Sequence, residues 1–126
     1  MTMKTPLGAV RGLGSAKNGT HHWWLQRLTA IALIPLTVWL TASIVGLIGA
    51  DYETVRTWVS IPLVAILLAL FLAATLYHLK LGLQVVIEDY VHHEGAKLAA
   101  QMTVTFAAII IAAASIFAVL SVAFEG

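Results

Sequence analysis

The stretch Tyr77-His78-Leu79-Lys80-Leu81-Gly82-Leu83-Gln84-Val85-Val86-Ile87-Glu88-Asp89-Tyr90 closes a run, starting at Thr57, that holds no Asp, Glu, Lys or Arg before Lys80. Two further stretches, Leu28 to Ala50 and Leu98 to Phe124, are equally free of those residues. Each exceeds the roughly 20 apolar residues that a membrane-spanning helix requires. The expected fold is therefore an all-α integral membrane protein with three transmembrane helices, over about 26–50, 57–88 and 98–124. The whole chain, 1–126, reads as one membrane-anchor domain without internal repeats.

Composition points the same way. The chain is 60% hydrophobic and 10% charged, against about 25% charged in soluble domains. It has no cysteine, which excludes disulfides, thiolate nucleophiles and iron–sulfur ligation by this chain. Lys4, Arg11, Lys17 and Arg27 all precede the first span, with no acid among them. By the positive-inside rule the N-terminus is cytoplasmic and three crossings leave the C-terminus periplasmic. Residues 1–20, rich in glycine, read as a cytoplasmic arm. The first apolar run is too long for a signal-peptide core, so no cleavable leader is expected. The arm is poor in serine, which favours a bacterial inner membrane over a mitochondrial one.

At the start of the first span, His21-His22-Trp23-Trp24-Leu25-Gln26-Arg27 places tryptophans at the depth of an interfacial belt. Pro35 predicts a kink, and Ala42, Gly46 and Ala50 form a row of small residues suited to close helix contact. Ala108 and Ala112 repeat that spacing in the third span.

The second span carries most of the buried polarity. His78, Gly82, Val85 and Asp89 share one helical face, and His78 lies some 16 Å along the axis from Asp89. An imidazole at that depth needs a partner, because lipid offers no water to solvate it. Two readings fit: a histidine hydrogen-bonded to a neighbouring helix, or a ligand to a large flat cofactor, for which Gly82 leaves space one turn away. No other histidine lies inside a span, so six-coordinate ligation needs a second ligand from another subunit. Tyr77, Lys80, Gln84 and Glu88 form a second stripe. Lys80 either snorkels toward the cytoplasmic surface or meets an anionic group such as a propionate. Asp89 and Tyr90 are either an ordinary interfacial helix end or a carboxylate and phenol able to bind a quinone carbonyl. His92 and His93 read as solvated turn residues.

Two elements, His78-x3-Gly82-x6-Asp89-Tyr90 and His21-x5-Arg27, make the chain resemble the small, hydrophobic cytochrome b-type anchor subunits of succinate dehydrogenase, respiratory complex II. The resemblance extends over most of the chain. It implies that His78 is an axial ligand of the haem b iron, with the other axial histidine supplied by a second cytochrome b anchor subunit. It implies that Arg27, and more weakly His21, lie near the haem propionates, with Gly82 beside the ring. It implies that Tyr90 hydrogen-bonds ubiquinone, with Asp89 beside it. FAD and iron–sulfur clusters would belong to the flavoprotein and iron–sulfur subunits, so the chain would oxidise no succinate itself. Lys80, a charge beside the ligand position, departs from that family's pattern. A reading of a different class is a cofactor-free small transporter or scaffold subunit that uses Lys80 and His78 as a proton or packing pair.

Overall fold

A computed structural model describes residues 13–125, with side chains from Thr20 onward. Among the described residues four helices follow one another: α1 (Leu13–Gly46), α2 (Tyr52–Ser60), α3 (Pro62–Tyr90) and α4 (Glu94–Glu125). Three segments are long and apolar enough to cross a membrane: Thr20–Gly46, Pro62–Tyr90 and Glu94–Glu125. The chain is an all-α protein with three candidate spans, as its charge-free runs predict. Most of the N-terminal arm lies outside the described residues, but its last part is already helical, since α1 starts at Leu13.

Two boundaries differ from the sequence expectation. The first span ends at Gly46, not Ala50: a turn over 47–49 follows, with Gly49 at φ 83°, a left-handed conformation that costs glycine little. Ala50 therefore falls outside the helix, and a Cβ built on Gly46 would meet nothing within 4 Å. Ala42, Gly46 and Ala50 are all exposed in this structure. The second span starts at Pro62, not Thr57. Proline at the first helical position gives up only an amide that would be unpaired anyway, and it forces Ile61 into extended backbone (φ −64°, ψ 123°). Residues 52–60 become a separate amphipathic helix, started by Asp51, whose carboxylate accepts the Thr54 amide at 2.9 Å. The Thr54 hydroxyl and then that amide hold the Asp51 carboxyl below its usual value. Pro35 does not interrupt α1, which stays helical through it.

The span α3 is the centre of the assembly. It packs most closely on α4 and next on α1, whereas α1 and α4 do not pack on each other. The buried apolar side chains Val64, Ala65, Leu81 and Ile87 all belong to it. At the far end Trp39 of α1 stacks on Trp58 of α2 with ring centroids 5.9 Å apart. The α3–α4 turn is only Val91, His92 and His93. His93 is more than a solvated turn residue: its Nδ1 accepts the Ala96 amide at 3.1 Å and caps α4. With 29 residues, α3 is about 43 Å long, longer than the ~30 Å hydrocarbon core, a length that a spanning helix accommodates by tilting or by protruding.

Candidate functional site

The hydrogen bond that joins α1 to α3 involves His78. Its Nδ1 lies 2.9 Å from Thr29 Oγ1, and Thr29 Oγ1 also lies 2.8 Å from Leu25 O and 3.0 Å from Gln26 O. Side-chain hydrogen bonds between membrane helices average about 0.6 kcal/mol and reach ~1.7 kcal/mol. That is too little to hold two helices together, so the consequence of this bond is where it puts the imidazole. Nε2 of His78 has no hydrogen-bond partner among the described residues, and the ring lines a groove of about 420 Å³ formed with Ala30, Leu33, Ile34, Thr37 and Val38 of α1.

One turn on, Gly82 faces the same helix. A Cβ built there would meet Gln26 Nε2 at 3.9 Å, an ordinary contact. The glycine therefore faces Gln26 of α1 at a distance that leaves room for a methyl. Gln26 Oε1 and Thr75 Oγ1 are buried without a hydrogen-bond partner. An orphaned buried acceptor or hydroxyl costs about 1–3 kcal/mol.

Arg27 follows the heptad spacing of Ile34 and Val38, so it shares the face of α1 that lines the groove, about one turn toward the N-terminus. It is exposed, and its guanidinium lies 5.2 Å from the centroid of the Trp23 ring, a cation–π contact that leaves the charge open to an anion. His21 is exposed and lies on nearly the opposite side of α1. Helix geometry separates it from the groove that Arg27 borders.

Lys80 lies on the other side of α3. Its ammonium sits 5.6 Å from the Tyr77 ring centroid, and the side chain borders grooves of about 350 and 200 Å³ against Thr105, Ala108 and other residues of α4. The two ion pairs of the described residues, Arg56–Glu53 at 3.8 Å and Lys97–Glu94 at 3.9 Å, do not involve it.

Asp89 and Tyr90 end α3, both exposed, Tyr90 by 77%. Twelve residues of helix put Tyr90 about 18 Å along the axis from His78. The structure thus gathers His78, Gly82 and the Arg27 face along the α1–α3 seam and leaves Asp89 and Tyr90 at the helix end. A cavity of about 520 Å³ lies between α3 and α4 near Pro62 and Leu120 and is almost wholly apolar. It contains neither site. Thr29 is the functional candidate that sequence reasoning missed: a threonine within an apolar run carries no signal until its neighbour across the seam is known.

Comparison with known proteins gives a consistent answer. Residues 1–120 match the family described as succinate dehydrogenase/fumarate reductase transmembrane subunit. The chain is 34% identical over 110 residues to the succinate dehydrogenase hydrophobic membrane anchor subunit of Paracoccus denitrificans, covering 87% of this chain and 85% of that protein. It is 40% identical over 82 residues to the subunit of the same description from Rickettsia bellii (strain RML369-C), covering 65% of this chain and 66% of that protein. It is 33% identical over 85 residues to the succinate dehydrogenase membrane anchor subunit of Reclinomonas americana, covering 65% and 71%. No solved structure is significantly similar. With three apolar spans and a family match that covers nearly all of its length, the chain belongs to the succinate dehydrogenase/fumarate reductase transmembrane subunit family.

Proposed function

We propose that this chain is the small anchor subunit of a succinate:ubiquinone oxidoreductase in a bacterial inner membrane, with its N-terminus in the cytoplasm and its C-terminus in the periplasm. It docks the flavoprotein and iron–sulfur subunits, holds haem b together with the second cytochrome b anchor, and contributes to the ubiquinone pocket. Succinate chemistry belongs to the soluble subunits.

The observation that carries this reading is the His78 site. The side chain is an imidazole inside a span, tied through Nδ1 to Thr29, with Nε2 left without a hydrogen-bond partner among the described residues beside an open groove. That donor set fits a haem iron, since imidazole is a common axial ligand and its second nitrogen is ordinarily hydrogen-bonded. His78 would hold the iron, and the exposed Arg27 guanidinium on the same face of α1 would offer its charge to the propionates. Haem b, when bound, supplies one-electron redox capacity within the membrane. The orphaned Gln26 Oε1 and Thr75 Oγ1 support a site finished by atoms of another chain.

Tyr90 and Asp89 serve the substrate end. The Tyr90 phenol donates a hydrogen bond to the ubiquinone carbonyl, which gains negative charge on reduction, and Asp89 lies beside that site. Their exposure at the end of α3 suits a pocket built jointly with other subunits.

The test is purification of the tagged full chain from its native membrane. Copurification with flavin, a b-type haem spectrum and succinate:quinone reductase activity is expected. A colourless chain without flavin would overturn the reading in favour of a cofactor-free scaffold.

A further inference from the structure

We infer that Thr29 is the positioning residue of His78: it sets which imidazole nitrogen carries the proton and fixes the ring, so that Nε2 faces the iron as a lone-pair donor. The inference rests on the proposed haem site and adds to it a residue of the other helix.

The place of a single proton decides the matter. Thr29 Oγ1 approaches two backbone carbonyl oxygens, Leu25 O at 2.8 Å and Gln26 O at 3.0 Å. Carbonyl oxygens can only accept, and two oxygens do not rest 2.8 Å apart without a hydrogen between them. The single hydroxyl proton is therefore committed within α1. Only lone pairs then remain on Oγ1 for His78, 2.9 Å away. A hydrogen bond across that distance requires the ring to donate, so Nδ1 bears the hydrogen. In a neutral imidazole the other nitrogen then carries the lone pair. The tautomer of a residue on α3 is thus chosen by the backbone of α1, with the threonine hydroxyl as relay.

The same bond orients the ring. His78 is only partly buried and lines an open groove on one side. Thr29 supplies a constraint, and its own position is rigid because a β-branched side chain bonded back to its helix has little freedom. A hydrogen-bond acceptor at Nδ1–H also makes the imidazole a more basic ligand. Stronger donation favours ferric over ferrous iron, so Thr29 holds the haem potential down.

The experiment uses the intact complex carrying Thr29→Val, which keeps the shape and removes the hydroxyl, and Thr29→Ser, which keeps the hydroxyl. Haem retained per flavin after detergent washing, the midpoint potential of the haem and its reduced-minus-oxidised spectrum are measured, with succinate oxidation by an artificial acceptor as the assembly standard. Thr29→Val is expected to weaken haem retention about 10-fold or more, the usual effect of losing a ligand's outer partner, and to shift the potential upward. Thr29→Ser is expected to restore both. Should Thr29→Val accumulate poorly, Thr29→Ala carries the same comparison against Thr29→Ser. Retention and potential unchanged in Thr29→Val, or Thr29→Ser failing as Thr29→Val does, would overturn the inference. His78→Leu, run in parallel, separates the levels. If it alters the spectrum while Thr29→Val does not, only the role of Thr29 falls. If it too leaves the spectrum unchanged, the haem site itself falls.

Discussion

His78 and Lys80, two residues apart, lie on opposite sides of α3: the imidazole meets Thr29 of α1, whereas the ammonium faces Tyr77 and the α4 groove. Two residues of α-helix turn through about 200°, which is enough to assign one polar side chain to each flanking helix. The charge that looked anomalous beside a ligand position is thus screened from it by the body of the helix.

Lys80→Met should therefore leave the haem spectrum and haem content of the purified complex as in the unaltered protein. It also removes an insertion cost of roughly 2.5–3.5 kcal/mol, less whatever the lysine recovers by snorkelling, so the chain should accumulate in membranes at least as well. Loss of haem in Lys80→Met would show that the ammonium reaches the site.

Gly82 faces Gln26 with room for a methyl group. Gly82→Ala should therefore be tolerated, with a gain of about 0.5–1 kcal/mol from the smaller backbone entropy of alanine, visible as equal or higher thermal stability of the complex with haem retained. Gly82→Leu should displace Gln26 and open the α1–α3 seam, lowering haem content. Haem loss in Gly82→Ala would mean that a bound group approaches closer than Gln26 does.

Asp51 lies outside the spans, and its response to pH follows from its cap. The Thr54 hydroxyl and then the Thr54 amide lower its pKa in the folded state below 3.8. A depressed folded value means that the cap stabilises α2 at pH above the unfolded value and loses that effect as pH falls through the folded one. Hydrogen exchange should show α2 amides protected equally at about pH 7 and pH 5 and progressively less protected as pH falls through the lowered Asp51 value. Asp51→Ala should remove the protection at every pH, whereas Asp51→Asn should keep most of it. Protection independent of both pH and substitution would contradict the cap.

Tyr90→Phe removes a hydroxyl and little else. We expect quinone reductase activity to fall on the order of 100- to 1,000-fold, the range for loss of one hydrogen-bond donor to developing charge, while succinate oxidation with an artificial acceptor persists. Equal loss in both assays would assign Tyr90 to assembly rather than to quinone binding.

Much of the fold was legible in the residues alone. The three charge-free runs marked the three spans, because a chain in lipid must carry long apolar helices. The spacing of His78 and Gly82 put both on one face, and the structure shows that face turned to α1. The break at Ile61–Pro62 was present in the sequence as a pre-proline residue, yet hydropathy ran straight across it and hid α2. His93 as a cap and Thr29 as the partner of His78 were not readable. A cap formed by histidine lacks a composition signal, and a contact between residues 49 positions apart depends on how α1 and α3 pack. His21 shares a motif with Arg27 in sequence, but six residues of helix carry it away from the groove.

The most direct test of haem ligation is the reduced-minus-oxidised spectrum of the assembled complex with His78→Leu. The leucine fits an apolar span, so assembly is expected to persist and to be verified by succinate oxidation with an artificial acceptor. If His78 holds the iron, the b-type haem signal is lost or reshaped. A signal identical to that of the unaltered complex, in height and shape, would contradict ligation by His78.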